Sequence, residues 1–278
     1  MRILVVGSIN RDTIITVERA PDDGETVHSC GSQYCPGGKG ANQATACDGE
    51  VAMVGCVGND EHGREMLQTL LSAKVDTRYI AMTSQASTGS AFITVDANGQ
   101  NRIIVQRNAN SYVTREMVAV ALENPWDVVM LQWELPIDVV MASVEMAAAH
   151  GIDVIMDPAP ALPLLHVEIP NGVTVFTPNE HETQVLTGFS IHEQPEQALA
   201  VMAKIAPIVL VKMGEHGAIL HHDGRAKHFP AHPANVIDTT GAGDVFTAAF
   251  ASKYKHGLDE AVDYANQQAA AYISKKRM

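Results

Sequence analysis

The chain has 278 residues, 46% of them hydrophobic and 18% charged, which is enough apolar material to bury a sizeable core and excludes a disordered chain. A formal net charge of −13 argues against nucleic acid or an anionic membrane surface as the main partner, because both require a basic footprint. The four cysteines, Cys30, Cys35, Cys47 and Cys56, lack the paired spacing of a zinc site, so reduced thiols in the cytoplasm are expected.

The chain opens "MRILVVGSIN", with one basic residue and an apolar run shorter than the roughly 7–15 residues of a signal-peptide core, and this reads as a first strand. No stretch approaches the roughly 18 uninterrupted apolar residues of a membrane helix. Six apolar runs end in small or polar residues: "ILVVGSIN", "VAMVGCVGND", "WDVVMLQWE", "IDVIMDPAP", "VTVFTPNE" and "IVLVKMG". They predict buried strands of a parallel sheet covered on both faces. Helical patterns lie between many of them, such as "PIDVVMASVEMAAAHG", which opens with Pro136 and closes at Gly151. This alternation predicts a doubly wound α/β fold, a single domain over residues 1–278 with a mainly parallel sheet and helices on both faces. Ligands bind such sheets beyond the carboxyl ends of the strands, where "GSIN", "QWE", "DPAP" and "TPNE" fall.

Two segments break the alternation. "ETVHSCGSQYC" and "GSAFITVDANGQNRIIVQRN" alternate like strands, and the Asn98-Gly99 pair suits a tight hairpin. They predict a small extra sheet, inserted at about 13–36 and 88–107, that forms a lid over the strand ends. "AILHHDGRAKHFPA" reads as another hairpin, with Asp223-Gly224 at its turn, which makes His221 and His222 strand residues. The methionines of "VVMASVEMAAA" read as core filling.

Three constellations could carry chemistry. In "DTTGAGDVF", Gly241-Ala242-Gly243 leads into a helical pattern. Glycines there leave the first N–H groups of the helix open to an anion, with Asp244 in the first turn. A plain turn with Asp244 complementing the helix dipole accounts for the same residues equally well. In "CPGGKGANQATA" the glycines again precede a helix. This is no Walker A loop, because position 33 is Gln33 and Gly40 follows Lys39; a surface turn is the simpler reading of the block alone. The third set ends strands: Asn10 and Asp12, Glu134, then Asn179 and Glu182. Such side chains suit sugar hydroxyls or Mg²⁺, and each could also be an ordinary helix cap.

Taken together, "VVGSINRD", "PGGKGANQA", "STGSAFITV", "QWELP", "DPAPA", "TPNEHE", "VKMGEHGA" and "DTTGAGDVF" resemble, in order and over nearly the whole chain, the ribokinase-like (PfkB) family of carbohydrate kinases. The resemblance implies ATP-dependent phosphorylation of a sugar's primary hydroxyl, with ribose expected and deoxyribose, fructose, another pentose or a nucleoside as rivals. Asp244 matches the family's catalytic base, and Gly241, Ala242 and Gly243 match its anion hole. Asn10, Asp12, Gly38, Lys39, Asn42 and Glu134 match sugar contacts, and Ala91 and Ile93 lie on the matching lid strand. Asn179 and Glu182 match the element that organises Mg²⁺ and phosphates. Lys212, Gly214 and Gly217 match nucleotide contacts, although members often carry a hydroxyl residue at the place of Lys212. Asn266 falls where the family flanks adenine. Asp238 and Thr240 match part of a potassium site.

Two departures from the family pattern stand out. The sequence stops at "AAAYISKKRM", before the usual C-terminal stretch that adds cation ligands, and "ATACDGEVAMV" is shorter than the usual connection. The resemblance also implies a homodimer paired through the lids. Two other classes of function are a catalytically impaired sugar-binding homologue and an oxidoreductase. Asp244 with its glycines opposes the first, and the lack of a glycine fingerprint after the first strand opposes the second.

Overall fold

A computed structural model of the chain describes residues 1–163 and 168–275. In chain order the strands are β1 (Arg2–Val6), β2 (Asn10–Val17), β3 (Ser29–Gly37), β4 (Glu50–Gly58), β5 (Ile80–Thr83), β6 (Ser90–Val95), β7 (Asn101–Gln106), β8 (Val128–Gln132), β9 (Asp153–Asp157), β10 (Val173–Phe176), β11 (Ile208–Lys212), β12 (Ala218–His222) and β13 (Arg225–Phe229). The helices are α1 (Lys39–Ala46), α2 (Glu61–Ser72), α3 (Arg115–Leu122), α4 (Ile137–Ala149), α5 (Glu180–Thr187), α6 (Pro195–Met202), α7 (Ala242–Lys253) and α8 (Leu258–Ile273).

All six predicted apolar runs form strands of one nine-stranded sheet, ordered β13-β12-β11-β10-β9-β8-β1-β4-β5. The strands from β11 through β1 to β5 pair in parallel, and the β12–β13 hairpin closes one edge antiparallel. Alternate side chains of each strand enter different cores. Leu4, Val6, Val129, Leu131 and Met156 pack on one face against α3 to α6, while Ile3, Val5, Met130, Ile155 and Leu210 pack on the other against α1, α2, α7 and α8. Burial on both faces accounts for strands that read as continuous apolar runs instead of alternating ones. Each fully buried aliphatic side chain contributes about 1.5–3 kcal/mol. The chain winds from β1 through β4 to β5 on one side and from β8 onward on the other, so the order reverses at β1. Polar residues beyond the carboxyl ends of β1, β8 and β9 therefore converge on one crevice.

The second sheet has four strands in the order β3-β2-β6-β7. It begins at Asn10, three residues before the expected insertion, and its second strand starts at Ser29, so "ETVH" lies outside it. The β6–β7 connection is a tight antiparallel hairpin around Asn98-Gly99, as expected. Asp96 and Gln100 pair, Gly99 alone takes a positive φ of 77°, and the Asp96 carboxylate accepts the N–H groups of Asn98 and Gln100. The Asp96 side chain thus shapes the hairpin turn from within. At the β12–β13 turn, Asp223 and Gly224 do take the paired positive φ values, 50° and 70°, of a two-residue hairpin. None of the described helices is long and apolar enough to cross a membrane.

Candidate active site

Helix α1 starts where the chain leaves β3 at Gly38, whose φ is 86°. A Cβ there would lie 2.8 Å from the Asn10 nitrogen and the Ser8 oxygen, so only glycine fits. Gly40 packs on Gly7 so closely that a Cβ would fall 2.5 Å from the Gly7 carbonyl carbon. The first N–H groups of α1 are all answered by protein. Glu134 Oε2 accepts from the Lys39 N–H at 3.0 Å and from the Ser8 hydroxyl. Ser8 Oγ accepts from Gly40 N at 3.4 Å, and the Ser8 carbonyl accepts from Ala41 N at 2.9 Å. Glu134 thus complements the positive end of the helix as well as its donors.

Helix α7 starts from Gly241, φ 77°, with no side-chain cap. Ala242 N donates to Thr239 O at 3.1 Å, but among the described residues the N–H groups of Gly243 and Asp244 meet no acceptor. The Lys212 ammonium stands beside them, 3.8 Å from where a Cβ of residue 243 would be. Open donors, helix dipole and cation together make an anion site.

Asp244 is 5% exposed and belongs to both halves of the crevice. Its carboxylate accepts from Asn42 Nδ2 at 2.9 Å and Gln43 Nε2 at 3.2 Å, and Lys39 Nζ lies 3.9 Å away. The Asp244 charge holds the Lys39 ammonium above its usual range, with smaller contributions from Asp157, Glu134 and Glu182, so the lysine stays protonated. Lys212 donates to Asp157 at 2.9 Å, and Gln43 Nε2 bonds the other Asp157 oxygen at 2.9 Å.

The small sheet contributes Asn10, Asp12, Ala91 and Ile93 to one side of the crevice. Asn10, 2% exposed, accepts from Asn110 Nδ2 at 2.8 Å, and Asp12 Oδ1 accepts from the Ala91 N–H at 2.8 Å. Ala91 and Ile93 are buried on β6. On the other side of Asp244 lies a cleft of about 930 Å³ lined by Lys39, Asn179, Glu182, Lys212, Gly214, Gly217, Gly241–Asp244 and Asn266. Asn179 and Glu182 form a reciprocal capping box on α5, with bonds of 2.7 Å each way, and Glu182 also faces the cleft. Burial pushes the Glu182 carboxyl above its ordinary value, against the opposing pull of Lys212. Gly214 and Gly217, at φ 51° and 87°, frame a 3₁₀ turn after β11. Asn266 donates to Pro230 O at 3.2 Å. Asp238 Oδ1 accepts from Thr240 N at 2.9 Å on the loop leading to α7. No group of three His, Cys, Asp or Glu able to hold a metal occurs among the described residues.

The model for "pfkB family carbohydrate kinase" matches residues 1–278. The chain belongs to this family of sugar phosphotransferases. A ribokinase from Staphylococcus aureus (strain COL) is 35% identical over 286 residues, covering 99% of this chain and 94% of the relative. A deoxyribokinase from Salmonella typhi is 33% identical over 282 residues, covering 99% and 92%. The solved structure of Arabidopsis thaliana ribokinase complexed with ribose and ATP superposes with a TM-score of 0.86 at 32% identity, covering 99% of this chain and 93% of that one.

In this pfkB protein the structure also brings forward residues that sequence reasoning gave no role. Ser8, Gln43, Asn110 and Asp157 are all at most 1% exposed and hydrogen-bonded to predicted site residues. Asp157 stood in a strand-end tail, "DPAP", and Gln43 directly follows Asn42. Asn42, expected at the sugar, has its amide on Asp244.

Proposed function

We propose that the protein is an ATP-dependent ribokinase, transferring the γ-phosphoryl group of ATP to the primary hydroxyl of D-ribose to give D-ribose 5-phosphate and ADP. The observation that carries this reading is the position of Asp244, a buried carboxylate reached by α1 side chains from one half of the crevice and set beside open N–H groups in the other. Relatives named ribokinase at this similarity, and a neighbour complexed with ribose and ATP, support the choice of substrates. Asp244 takes the hydroxyl proton as the sugar oxygen attacks in line. The expected anion hole of Gly241, Ala242 and Gly243 acts, with the Lys212 ammonium, on the charge of the transferring phosphoryl oxygens; its open donors are the N–H groups of Gly243 and the adjoining Asp244, since the Ala242 N–H is held by Thr239 O at 3.1 Å. Lys39, held charged, offsets the negative charge of Asp244 and the incoming phosphate. Asn10, Asp12, Gly38, Asn42 and Glu134 orient the sugar, and Ala91 and Ile93 close over it. Asn179, Gly214, Gly217 and Asn266 hold the nucleotide.

Mg²⁺ fits this site through Glu182, a carboxylate in the cleft whose charge burial penalises, with nucleotide phosphate oxygens and water completing the shell. When bound it neutralises charge on the phosphoryl oxygens. Asp238 and Thr240 are the proposed ligands of an activating K⁺.

A second reading, a deoxyribokinase, is favoured by the 33% identical deoxyribokinase. A coupled ADP-release assay over ribose, deoxyribose, fructose, other sugars and nucleosides, with and without K⁺, decides between them. Ribose is expected to give the highest kcat/KM; calorimetric ribose binding without ADP release would instead mark an impaired sugar-binding homologue.

The proposal includes a cytoplasmic homodimer. All four cysteines are free thiols, a state that reducing surroundings would preserve. Strand β7 is exposed along its whole length and carries Ile103, Ile104 and Val105 at 48–68% exposure. Tyr34 and Phe92 extend the patch across the sheet. An apolar edge strand of this kind calls for a covering partner. Light scattering should give twice the 29.8 kDa chain mass, and a monomer at working concentration would reject the pairing.

A further inference from the structure

Beneath the crevice runs a buried polar chain that ties together two of the groups assigned to the phosphoryl transfer, Lys212 and Asp244. Lys212 Nζ bonds one oxygen of Asp157, and Gln43 Nε2 bonds the other. The same Nε2 donates to Asp244 Oδ1 at 3.2 Å. On the far side, Gln132 Nε2 donates to Gln43 Oε1 at 2.6 Å. Gln43 and Gln132 are completely buried and Asp157 is 1% exposed.

The direction of the Gln43 amide follows from this arrangement. Turned over, it would set its oxygen against two carboxylates and its nitrogen against another amide nitrogen. Both of its N–H groups are therefore committed, one to each carboxylate. Without them, two buried carboxylates would face each other with only Lys212 and Lys39 to hold them, and like charges so placed move apart.

We infer that Gln43 is a positioning residue, which holds the Asp244 base and the Asp157–Lys212 pair in one register so that proton acceptor and phosphoryl-side cation face the same transferring group. The inference rests on the kinase reading, in which Asp244 is the base and Lys212 faces phosphate. Gln43 itself is completely buried and does not line the cleft. Its contribution belongs in kcat, because it aligns groups that act at the moment of transfer, while ribose and ATP bind through other side chains.

The test is Gln43→Glu, which keeps the shape and the acceptor for Gln132 but loses both donors. Its kcat should fall by about 10²-fold, the cost of displacing a reacting group by roughly 1 Å, with ribose Kd and ATP KM unchanged within about threefold. The deficit should shrink as pH is lowered, because the introduced carboxyl regains one donor on protonation. The charged groups facing that side chain are Asp157 and Asp244, with Lys39, Lys212, Glu134 and Glu182 around them. Gln43→Met, which cannot regain a donor, should show a comparable loss without the recovery. Should either variant fail to fold, Gln132→Met retains Gln43 but frees its amide, and a smaller loss confined to kcat is expected. Normal kcat, a loss confined to KM, or the same pH dependence in the Gln43→Glu and Gln43→Met variants would overturn the inference. Absence of sugar phosphorylation by the wild-type protein would instead reject the kinase reading itself.

Discussion

Helices α1 and α7 begin alike: each follows a glycine with positive φ, neither has a side-chain N-cap, and each has glycine as its second residue. Their N-termini nevertheless differ. That of α1 is closed by protein, with Glu134 on the Lys39 N–H and Ser8 on those of Gly40 and Ala41. That of α7 is left open at Gly243 and Asp244 among the described residues, with Lys212 beside it. A helix end sealed by a carboxylate has no remaining attraction for an anion, so α1 acts through its side chains Lys39, Asn42 and Gln43. An open one suits an anion, so in the proposed function α7 offers its backbone donors to phosphate beside the Asp244 side chain. In the proposed reaction the two similar glycine-led motifs take complementary parts.

The largest expected effect tests the meeting point of the two helices. Asp244→Asn removes the proton acceptor while keeping a polar partner for α1. Its kcat should fall by roughly 10²–10⁴-fold, the usual worth of a general base. Ribose binding measured by calorimetry should persist, and near-normal turnover would remove Asp244 from the role of base.

A matched pair of substitutions tests the closed and open ends directly. At Gly40 a methyl group would meet Gly7 backbone at 2.5 Å, whereas at Gly243 the nearest atom is Lys212 Nζ at 3.8 Å. Gly40→Ala should destabilise by about 1–3 kcal/mol, as overpacking does. Gly243→Ala should keep or raise stability, by up to about 1 kcal/mol from helix propensity, yet lower kcat/KM for ATP because the methyl group stands over the anion site. Thermal melting and steady-state kinetics read the two effects separately. Equal stability losses in both variants would erase the distinction between the helix ends.

Both helix starts were legible in the sequence because a run of glycines directly ahead of an apolar helical pattern marks a sharp backbone turn with open N–H groups behind it. The parallel strands were legible for a similar reason: burial on both faces leaves near-continuous apolar runs. Gln43 was hidden because one polar residue on the buried side of a short helix gives no periodic signal. Its meaning depends on Asp157 and Asp244, 114 and 201 residues away. Asn42 was expected at the sugar, whereas its bond to Asp244 depends on how α1 and α7 pack. Asn98-Gly99 marked the β6–β7 hairpin, whose turn the Asp96 carboxylate shapes by accepting the Asn98 and Gln100 N–H groups. Asn179 and Glu182 supported two readings, cap and ligand, and geometry lets them be both: a box that fixes α5 also points Glu182 into the cleft.

That double duty leads to the smallest predicted effect. Burial raises the Glu182 carboxyl, so the folded protein binds this proton more tightly than the unfolded chain does. Stability from this group is fully present below the ordinary carboxylate range and is lost as pH rises through the raised folded value. Glu182→Gln keeps an acceptor for the Asn179 N–H but cannot ionise. The variant should therefore melt progressively above wild type as pH rises through that window, with the gap narrowing again when MgATP brings positive charge to the carboxylate. Parallel melting curves across the whole range would mean that the ionised carboxylate is already compensated inside the protein, chiefly by Lys212, and that the nucleotide cleft is as well balanced without its ligand as the sealed end of α1.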